Sequence, residues 1–190
     1  MIVDLDDFHE GNHRLPLLYA LRAANPEFRC TLFAIPTLGS DEFWESVPDW
    51  CELAFHGWKH GDPPTDGGEC KDWSFEEMDW LIYHHERGYH DRFVRGFKAP
   101  GWQISDGCYE ALAEAGWWVA DQPYNDGRRP HGLRVHRLSE GASTGDDPDH
   151  WHGHIQNVCG NGLEETFDRL LQKVKCAETF ELVSEAVQLW

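Results

Sequence analysis

Residues 52–60 read ELAFHGWKH, a short apolar run that stops at His56 and is followed by His60 four positions later. The apolar run predicts a buried strand, Cys51–Phe55. In parallel α/β sheets and barrels the carboxyl ends of the strands share one face, and sites are built there. Two imidazoles at i, i+4 lie on one face of a helical turn, so both can reach one metal ion. The stretch therefore predicts a site-bearing strand in an α/β protein.

Short β-rich apolar runs alternate with helical patterns along the chain, which is typical of an α/β fold with mostly parallel strands. The 190 residues suit a single domain, residues 1–190, with a full core. Residues 61–72 and 139–149 are rich in Gly, Pro and Asp and are predicted to be loops. The predicted strands are Ile2–Leu5, Arg29–Ile35, Cys51–Phe55, Phe93–Phe97, Trp117–Ala120, Leu133–Arg137 and Trp151–Ile155, with Phe180–Val183 as a further strand or edge. The predicted helices are Leu15–Ala24, Phe75–Arg87, Tyr109–Ala115 and Leu163–Lys175.

The chain is strongly acidic, with 34 acidic against 16 basic residues and a formal charge of −18. Such a protein repels phosphate backbones and anionic lipid, so nucleic acid and membranes are not expected partners. MIVDLDD begins as a strand without a basic and apolar leader, and no apolar run is long enough for a membrane span. The six cysteines form no CxxC pair, which favours reduced thiols. We therefore expect a cytoplasmic protein; the sequence leaves its oligomeric state open.

Polar side chains cluster where five of the predicted strands end. Because these ends lie on one face of a parallel sheet, we expect the side chains to converge on one mouth. The residues are Asp6, Asp7, His56, His60, Lys98, Asp121, His152 and His154.

The spacing of the histidines does not by itself establish a metal site, because His9/His13 and His150/His154 have the same spacing. Surface and core histidines are common. A structural zinc site that adds Cys51 and Cys70 to the pair His56/His60 is an alternative. It is weakened because Cys51 belongs to the interior of the predicted strand.

The adjacent carboxylates Asp6 and Asp7 have a structural interpretation as turn or helix-capping residues. Two like charges so close are unfavourable unless a cation lies nearby. A divalent metal ion held by one aspartate and two histidines would supply such a cation, and this ligand set would leave coordination positions open for water and substrate. The other carboxylate would then be free to act as a base.

The ordered set of motifs resembles the polysaccharide deacetylase family, the NodB homology domain of the carbohydrate esterase type. The motifs are Asp-Asp after the first strand, His-x-x-x-His after the third, a Lys/Arg-x-Pro segment, an Asp, a late His and the ending TFELVSEAV. They span nearly the whole chain. The resemblance implies a distorted, incomplete (β/α) barrel of about seven parallel strands. It also implies a metal-dependent hydrolase that removes N-acetyl groups from an amino-sugar substrate.

The resemblance also implies a metal centre with a base beside it. Asp7, His56 and His60 would hold Zn²⁺ or another divalent transition metal, with water on the metal as the nucleophile. Asp6 would be the general base. Lys98 stands where the family usually has an arginine that pairs with this base, and a lysine cannot make the bidentate pair.

The remaining catalytic roles implied by the resemblance fall on the later motifs. Gly101 would donate its backbone N–H to the oxyanion, and Asp121 would orient neighbouring groups. His154 would be the general acid, with His152 as its competitor because the late motif reads His-Gly-His. The tryptophan that the family has shortly after this aspartate is absent, since the chain reads DQPYN.

Four residues form the predicted substrate-binding set, namely Trp58, Pro100, Trp102 and His152. Flat aromatic rings pack on the apolar faces of sugars, with simple core packing as the alternative for both tryptophans. An oligosaccharide or small molecule that carries an N-acetyl group is the expected substrate. Two other functions remain open: hydrolysis of a non-sugar amide or cyclic imide on the same scaffold, and metal-dependent sugar binding without catalysis.

Overall fold

The computed structural model describes residues 1–60, 68–156 and 160–189 of the chain. The strands of its sheet are β1 (Ile2–Phe8), β2 (Cys30–Ala34), β3 (Cys51–His56), β4 (Phe93–Lys98), β5 (Trp118–Asp121), β6 (Arg134–Arg137), β7 (His150–His154) and β8 (Gln188–Leu189). Their order across the sheet is β7-β1-β2-β3-β4-β5-β6-β8. Strands β1 to β7 pair in parallel, whereas β8 is antiparallel to β6. The sheet curls into a half-barrel, which confirms the predicted incomplete (β/α) barrel of seven parallel strands.

The described helices lie mainly between the strands, as expected for an α/β chain. The capping box predicted before α3 is present: Ser74 accepts from the Glu77 backbone N–H, and the Glu77 carboxylate accepts from that of Ser74. A π-helical turn, His85–Tyr89, follows α3. The helices are α1 (Leu15–Ala24), α2 (Asp41–Ser46), α3 (Phe75–His84), α4 (Asp106–Glu114), α5 (Leu163–Cys176) and α6 (Val183–Ala186).

The predicted strand or edge at Phe180–Val183 is wrong. Glu181 forms a single parallel bridge with Ile2, and the chain then enters α6. The Glu185 carboxylate accepts a hydrogen bond from the Leu182 backbone N–H at 2.9 Å, which favours a helical turn over an extended ladder. The edge strand of the sheet lies further along the chain, at β8.

Apolar side chains pack on both faces of the sheet. The larger core joins the outer face to the helices and includes Leu5, Leu32 and Phe55 from the strands and Leu18 and Leu170 from helices. The smaller core lies inside the barrel and consists of Phe33, Ala54, Trp118, Ala120 and Val183. No helix within the described ranges is long and apolar enough to cross a membrane.

The C-terminal segment covers the amino-terminal end of the barrel interior. There Thr31 accepts from the backbone N–H of Val183 at 2.9 Å and donates to the carboxylate of Glu52 at 2.8 Å. Glu52 also accepts from the Ser184 backbone N–H at 3.3 Å. These contacts leave the carboxyl ends of the strands as the open side on which a site can form.

Two sequence-based expectations fall partly outside the described residues. Residues 61–67 of the predicted loop 61–72 and the cysteine at position 159 are not described. The described cysteines are free thiols: Cys30, Cys51, Cys70, Cys108 and Cys176.

Candidate metal and catalytic site

The end of β1 places two adjacent carboxylates in one pocket. Strand alternation would send Asp6 and Asp7 to opposite faces of the sheet. The β1–β2 register shifts between Leu5 and Phe8, and Asp7 has φ 64°, in the left-handed region. Both carboxylates are buried, each residue being 2% exposed. The departure from regular strand geometry therefore brings both acids to the same site.

Backbone strain is concentrated around this pocket. Four described non-glycine residues have positive φ, and three of them, Asp7, His60 and Trp102, belong to the predicted site. Such conformations cost free energy and persist where the surrounding structure holds them. Their grouping is typical of a functional site.

Asp7, His56 and His60 present three donor atoms to one another at the spacing of metal ligands. Asp7 Oδ1 lies 3.4 Å from His56 Nε2 and 3.0 Å from His60 Nε2. Ligands about 2.1 Å from a tetrahedral or octahedral ion are about 3.0–3.4 Å apart. Asp7 Oδ1 is buried, and the described residues offer it no hydrogen-bond donor other than these two imidazoles. The three residues therefore fit a divalent metal ion.

The two histidines are held in place by groups behind them. The Nδ1–H of His56 donates to the carbonyl oxygen of Lys98 at 3.0 Å, since a carbonyl can only accept. This bond leaves Nε2 free to ligate, as is usual for metal-bound histidines. The Glu69 carboxylate accepts hydrogen bonds at 2.8–3.1 Å from the backbone N–H groups of the three residues Trp58, Lys59 and His60.

The charges of the site hold its acids ionised. Burial alone would raise the pKa of Asp7, but hydrogen bonds and charge from His56 and His60 outweigh it, and the pKa lies below its ordinary value. Burial would likewise raise the pKa of Asp6, and the Lys98 ammonium together with nearby histidines lowers it instead. The two aspartates also keep the pKa of His56 above its usual value, despite its burial. Asp6 is thus a carboxylate able to accept a proton.

Lys98 lies directly against Asp6. Its Nζ is 2.7 Å from Asp6 Oδ1 and 2.9 Å from Asp4 Oδ1, and the residue is only 1% exposed. The ammonium also lies over the rings of Trp102, at 4.2 Å, and Phe33, at 4.6 Å. Two carboxylates and two aromatic faces therefore surround this buried cation.

The late motif presents both of its histidines to Asp6. Oδ2 of Asp6 lies 3.9 Å from His152 Nε2 and 4.0 Å from His154 Nε2. His154, near the rim with its side chain 17% exposed, donates its Nδ1–H to Asn161 Oδ1 at 2.7 Å. His152 is more deeply buried, with Nδ1 2.9 Å from Asp4 Oδ1. Burial lowers the pKa of His154, and the charge on Asp6 opposes this shift. The geometry keeps both imidazoles as candidate acids.

A second group of possible metal ligands, Asp6, His152 and His154, is wider than the first. Oδ2 of Asp6 is separated from the two Nε2 atoms by 3.9 and 4.0 Å, more than the ligand spacing of a first-row metal. In addition, the ammonium of Lys98 already neutralises Asp6. The group at Asp7 is therefore the better candidate for an ion.

Asp121 does not join the other predicted residues. It ends β5 on the helix-facing side of the sheet, where its carboxylate accepts hydrogen bonds from Tyr109 of α4, from Asn125 at 2.8 Å and from Arg129 at 3.2 Å. Alternation along this four-residue strand puts Ala120, and not Asp121, on the barrel interior. The expected convergence of five strand ends is thus observed for four.

The segment after β4 lines the pocket. Pro100–Trp102 form a 3₁₀ turn in which Gly101 has φ 62°. Trp102 packs against His152 with ring centroids 5.4 Å apart, and Pro100 is buried beside Gly57. Trp58 lies instead against Trp80, with ring centroids 5.0 Å apart.

The structure places at the site several residues that were not predicted from the sequence. For one of them, Asp4, a signal was available, because it stands two positions before Asp6 on the same strand face. The others are His150, Glu69, Asn161 and Gln156, whose amide donates to Asp7 Oδ2 at 3.2 Å. Their distance in sequence from their partners left no local pattern to detect.

The sequence matches no protein-family model and no curated protein sequence. Solved family 4 carbohydrate esterases do share its fold. The family 4 domain of a multidomain xylanase from the hindgut metagenome of Trinervitermes trinervoides aligns with a TM-score of 0.61 at 15% identity, over 97% of this chain and 87% of that one. The family 4 acetyl xylan esterase from Clostridium thermocellum, solved with a cobalt ion, gives 0.61 at 12% identity over 97% and 88%. The family 4 esterase from Streptomyces lividans, solved with acetate, gives 0.60 at 15% identity over 100% and 96%.

These alignments cover nearly the entire chain. They confirm the predicted resemblance as one of fold: the protein has the incomplete barrel of the family 4 carbohydrate esterases, the NodB-like polysaccharide deacetylases. What the chain does with that barrel depends on its own residues.

Proposed function

We propose that the protein is a metal-dependent hydrolase that removes N-acetyl groups from an amino-sugar substrate. The observation that carries the proposal is a group of three metal-donor atoms beside the ionised Asp6. The Nε2 atoms of His56 and His60 both lie within 3.4 Å of Asp7 Oδ1. A metal-ligand set with one free carboxylate next to it suits hydrolysis better than simple binding, since binding alone has no use for the second acid.

The charge of the cluster supports one divalent cation. With neutral histidines, three buried carboxylates, those of Asp4, Asp6 and Asp7, face a single buried ammonium, that of Lys98. The remaining two negative charges are costly to bury unless a cation compensates them. Zn²⁺ or another divalent transition metal held by Asp7, His56 and His60 would supply Lewis-acid activation of water and of the acetyl carbonyl.

The proton transfers fall to the residues around that ion. Asp6 would accept the proton of the attacking water, because Lys98 keeps it ionised and its Oδ2 faces the pocket. His154, held by Asn161, would donate a proton to the departing amine. His152 remains its competitor, at an equal distance from Asp6. The Gly101 backbone N–H would stabilise the oxyanion.

The substrate would lie along the aromatic residues that border the site. Trp102 forms the wall next to Lys98 and His152. Trp58 borders an open groove of about 470 Å³ shared with Trp73, Trp80 and Glu76. Flat rings at these positions suit sugar faces. Two of the solved structures with this fold belong to a xylanase and an acetyl xylan esterase, so the O-acetyl groups of a xylan are the second candidate substrate.

Acetate release and metal analysis of the purified protein test the proposal. We expect about one divalent ion per chain, and acetate release from N-acetylglucosamine oligomers that exceeds release from acetylated xylo-oligosaccharides. Release from the xylan substrate alone would favour the second candidate. If the metal-loaded protein releases acetate from neither substrate, the proposal of a hydrolase is contradicted.

Substitution of the base separates catalysis from binding. Asp6→Asn should retain the metal and lose most turnover, by about 10²–10⁴-fold, because proton transfer to the carboxylate is removed. Asp79→Asn, the same change on the exposed face of α3, is the matched control and should behave as the wild type. Undiminished turnover in Asp6→Asn would remove this residue from the mechanism.

A further inference from the structure

Asp4 is a buried carboxylate that the proposed reaction does not use. It lies on β1, two residues before Asp6, and is 2% exposed. In the parallel β1–β7 pairing it is opposite His152, as Asp6 is opposite His154. A carboxylate buried in this way is unfavourable unless charges and hydrogen bonds compensate it.

Both oxygens of Asp4 are occupied. Oδ1 accepts from Lys98 Nζ at 2.9 Å and faces Nδ1 of His152 at 2.9 Å, while Oδ2 faces Nε2 of His150 at 2.7 Å. Burial would raise the pKa of Asp4, but Lys98 and the two histidines hold it well below its ordinary value. An ionised carboxylate only accepts, so both imidazoles donate to it. The carboxylate is therefore fixed in orientation by two rings of β7.

This fixed carboxylate determines where the ammonium of Lys98 lies. A lysine is a flexible point charge and cannot grip one carboxylate with two parallel bonds as an arginine can. Here the ammonium bridges two carboxylates, at 2.9 Å from Asp4 and 2.7 Å from Asp6. Because Oδ1 of Asp6 is engaged by Lys98, Oδ2 is the oxygen that faces His56, at 3.9 Å.

We propose that Asp4 is a positioning residue that acts through Lys98 on Asp6, and so orients the general base. The proposal rests on the function proposed above. Asp121, to which the resemblance assigns the orienting role, lies on the other face of the sheet with Tyr109 and Arg129. The second carboxylate beside Lys98 is therefore that of Asp4 and not that of Asp121.

The first test is Asp4→Asn, assayed on N-acetylglucosamine oligomers with the metal-loaded protein. The amide keeps the shape but loses the charge that holds the ammonium. We expect kcat to fall by about 10- to 100-fold, with KM and metal affinity within about twofold of wild type. Glu52→Gln is the control and should keep wild-type kcat, because this buried carboxylate of the barrel interior has its hydrogen bonds with Thr31 and the Ser184 backbone and not with Lys98.

A double-variant cycle tests the route through Lys98. If Asp4 acts through the ammonium, Asp4→Asn should have no further effect once Lys98→Met has removed it. The kcat of the double variant should then equal that of Lys98→Met within about twofold. In the metal-free proteins, Asp4→Asn should raise the urea midpoint of Lys98→Met, because it removes a buried carboxylate left without its cation.

Three outcomes would overturn the proposal. The first is a wild-type kcat in Asp4→Asn. The second is a double variant whose loss of kcat is the product of the losses in the two single variants. The third is a double variant whose urea midpoint is no higher than that of Lys98→Met. The comparison of Lys98→Met with the double variant does not require Asp4→Asn alone to fold. If the wild-type protein hydrolyses no acetylated substrate, the proposed function fails. Hydrolysis by wild type with unchanged kcat in Asp4→Asn contradicts the positioning role alone.

Discussion

Asp7 has an unusual backbone conformation for a residue on which the proposed function depends. Its positive φ and the register shift beside it turn the carboxylate towards His56 and His60. A non-glycine residue in this conformation needs compensation from its surroundings. The charged contacts of the pocket provide it, so the strain at Asp7 and the metal-ligand geometry have one origin.

We expect His136 of β6 to make the stability of the protein sensitive to acid. Burial, and then the neighbouring His150, lower its pKa to about 4, and its Nε2 has no hydrogen-bond partner among the described residues. Its pKa is near 6.5 in the unfolded chain. Between these values the unfolded state binds more protons, so the free energy of unfolding decreases as the pH falls from about 6.5 to about 4.

We expect His136 to contribute about 2 to 3 kcal/mol to this loss by about pH 4.5. Urea unfolding of wild type and His136→Gln, both with chelator and at about pH 7 and pH 4.5, measures it. The variant should lose less stability than the wild type over this interval. Equal losses would show that His136 has no depressed pKa.

Regular elements follow local signals where those signals are strong. The capping box starts α3 as predicted, and α1 has the predicted bounds, Leu15–Ala24. The predicted strand at Phe180–Val183 failed because four apolar and polar residues suit an edge strand and a single helical turn equally well. There the packing of the C-terminal segment on Thr31 and Glu52 decided the outcome.

Gly96 of β4 is required by the interior of the barrel. It pairs with Trp118 of β5, and a Cβ atom at Gly96 would lie 2.1 Å from the Trp118 indole, which is itself buried against Phe33. Gly96→Ala should therefore reduce the free energy of unfolding by about 2 kcal/mol or more, since the Trp118 ring or the backbone must shift to admit the methyl group.

The control is Gly88→Ala, in the π-helical turn after α3, where an added Cβ meets no atom within 4 Å. It should leave stability unchanged or raise it by about 0.5 kcal/mol. Urea or thermal unfolding of both variants gives the comparison. Similar stability for the two would contradict the close packing of Trp118 across Gly96.

We expect the stability of the barrel to depend on the proposed metal ion. Its interior carries more negative than positive charge at the carboxyl ends of the strands, and an ion that binds only the folded state stabilises it. In metal-free protein the proton on His56 replaces part of that charge, because Asp6 and Asp7 outweigh burial and raise its pKa above the ordinary value. This contribution is present at low pH and is lost as the pH rises through the raised pKa.

Removal of metal should therefore lower the unfolding temperature more at about pH 8.5 than at about pH 6. Thermal unfolding with excess zinc and with chelator at both values measures the difference. Asp7→Ala, which lacks one of the proposed ligands, should respond little to chelator. A wild-type protein whose unfolding is insensitive to chelator at both pH values would contradict the metal centre.

Much of the architecture and part of the site could be predicted from the sequence. The alternation of apolar runs and helical patterns is a local property, and it was sufficient for seven parallel strands and four of the helices. The convergence of Asp6, Asp7, His56 and Lys98 could be predicted because they stand at the ends of predicted strands, and parallel strands share one end. His60 could be added because it follows His56 by four positions. Asn161 and Glu69 could not, since they act on residues with which they share no sequence pattern.

The amino-acid sequence by itself determined an α/β fold of mostly parallel strands and the edge of the sheet where acids and imidazoles meet, because periodicity and strand ends are written in consecutive residues. The incomplete barrel was implied by the resemblance of its motifs to the polysaccharide deacetylase family. Tertiary structure alone decided that Asp6 and Asp7 face one pocket, that Asp121 faces the helices, and that Asp4 shares the ammonium of Lys98. These outcomes depend on a register shift, on strand alternation and on contacts between residues 94 positions apart. No local pattern encodes them, because they arise only when the distant strands are in place.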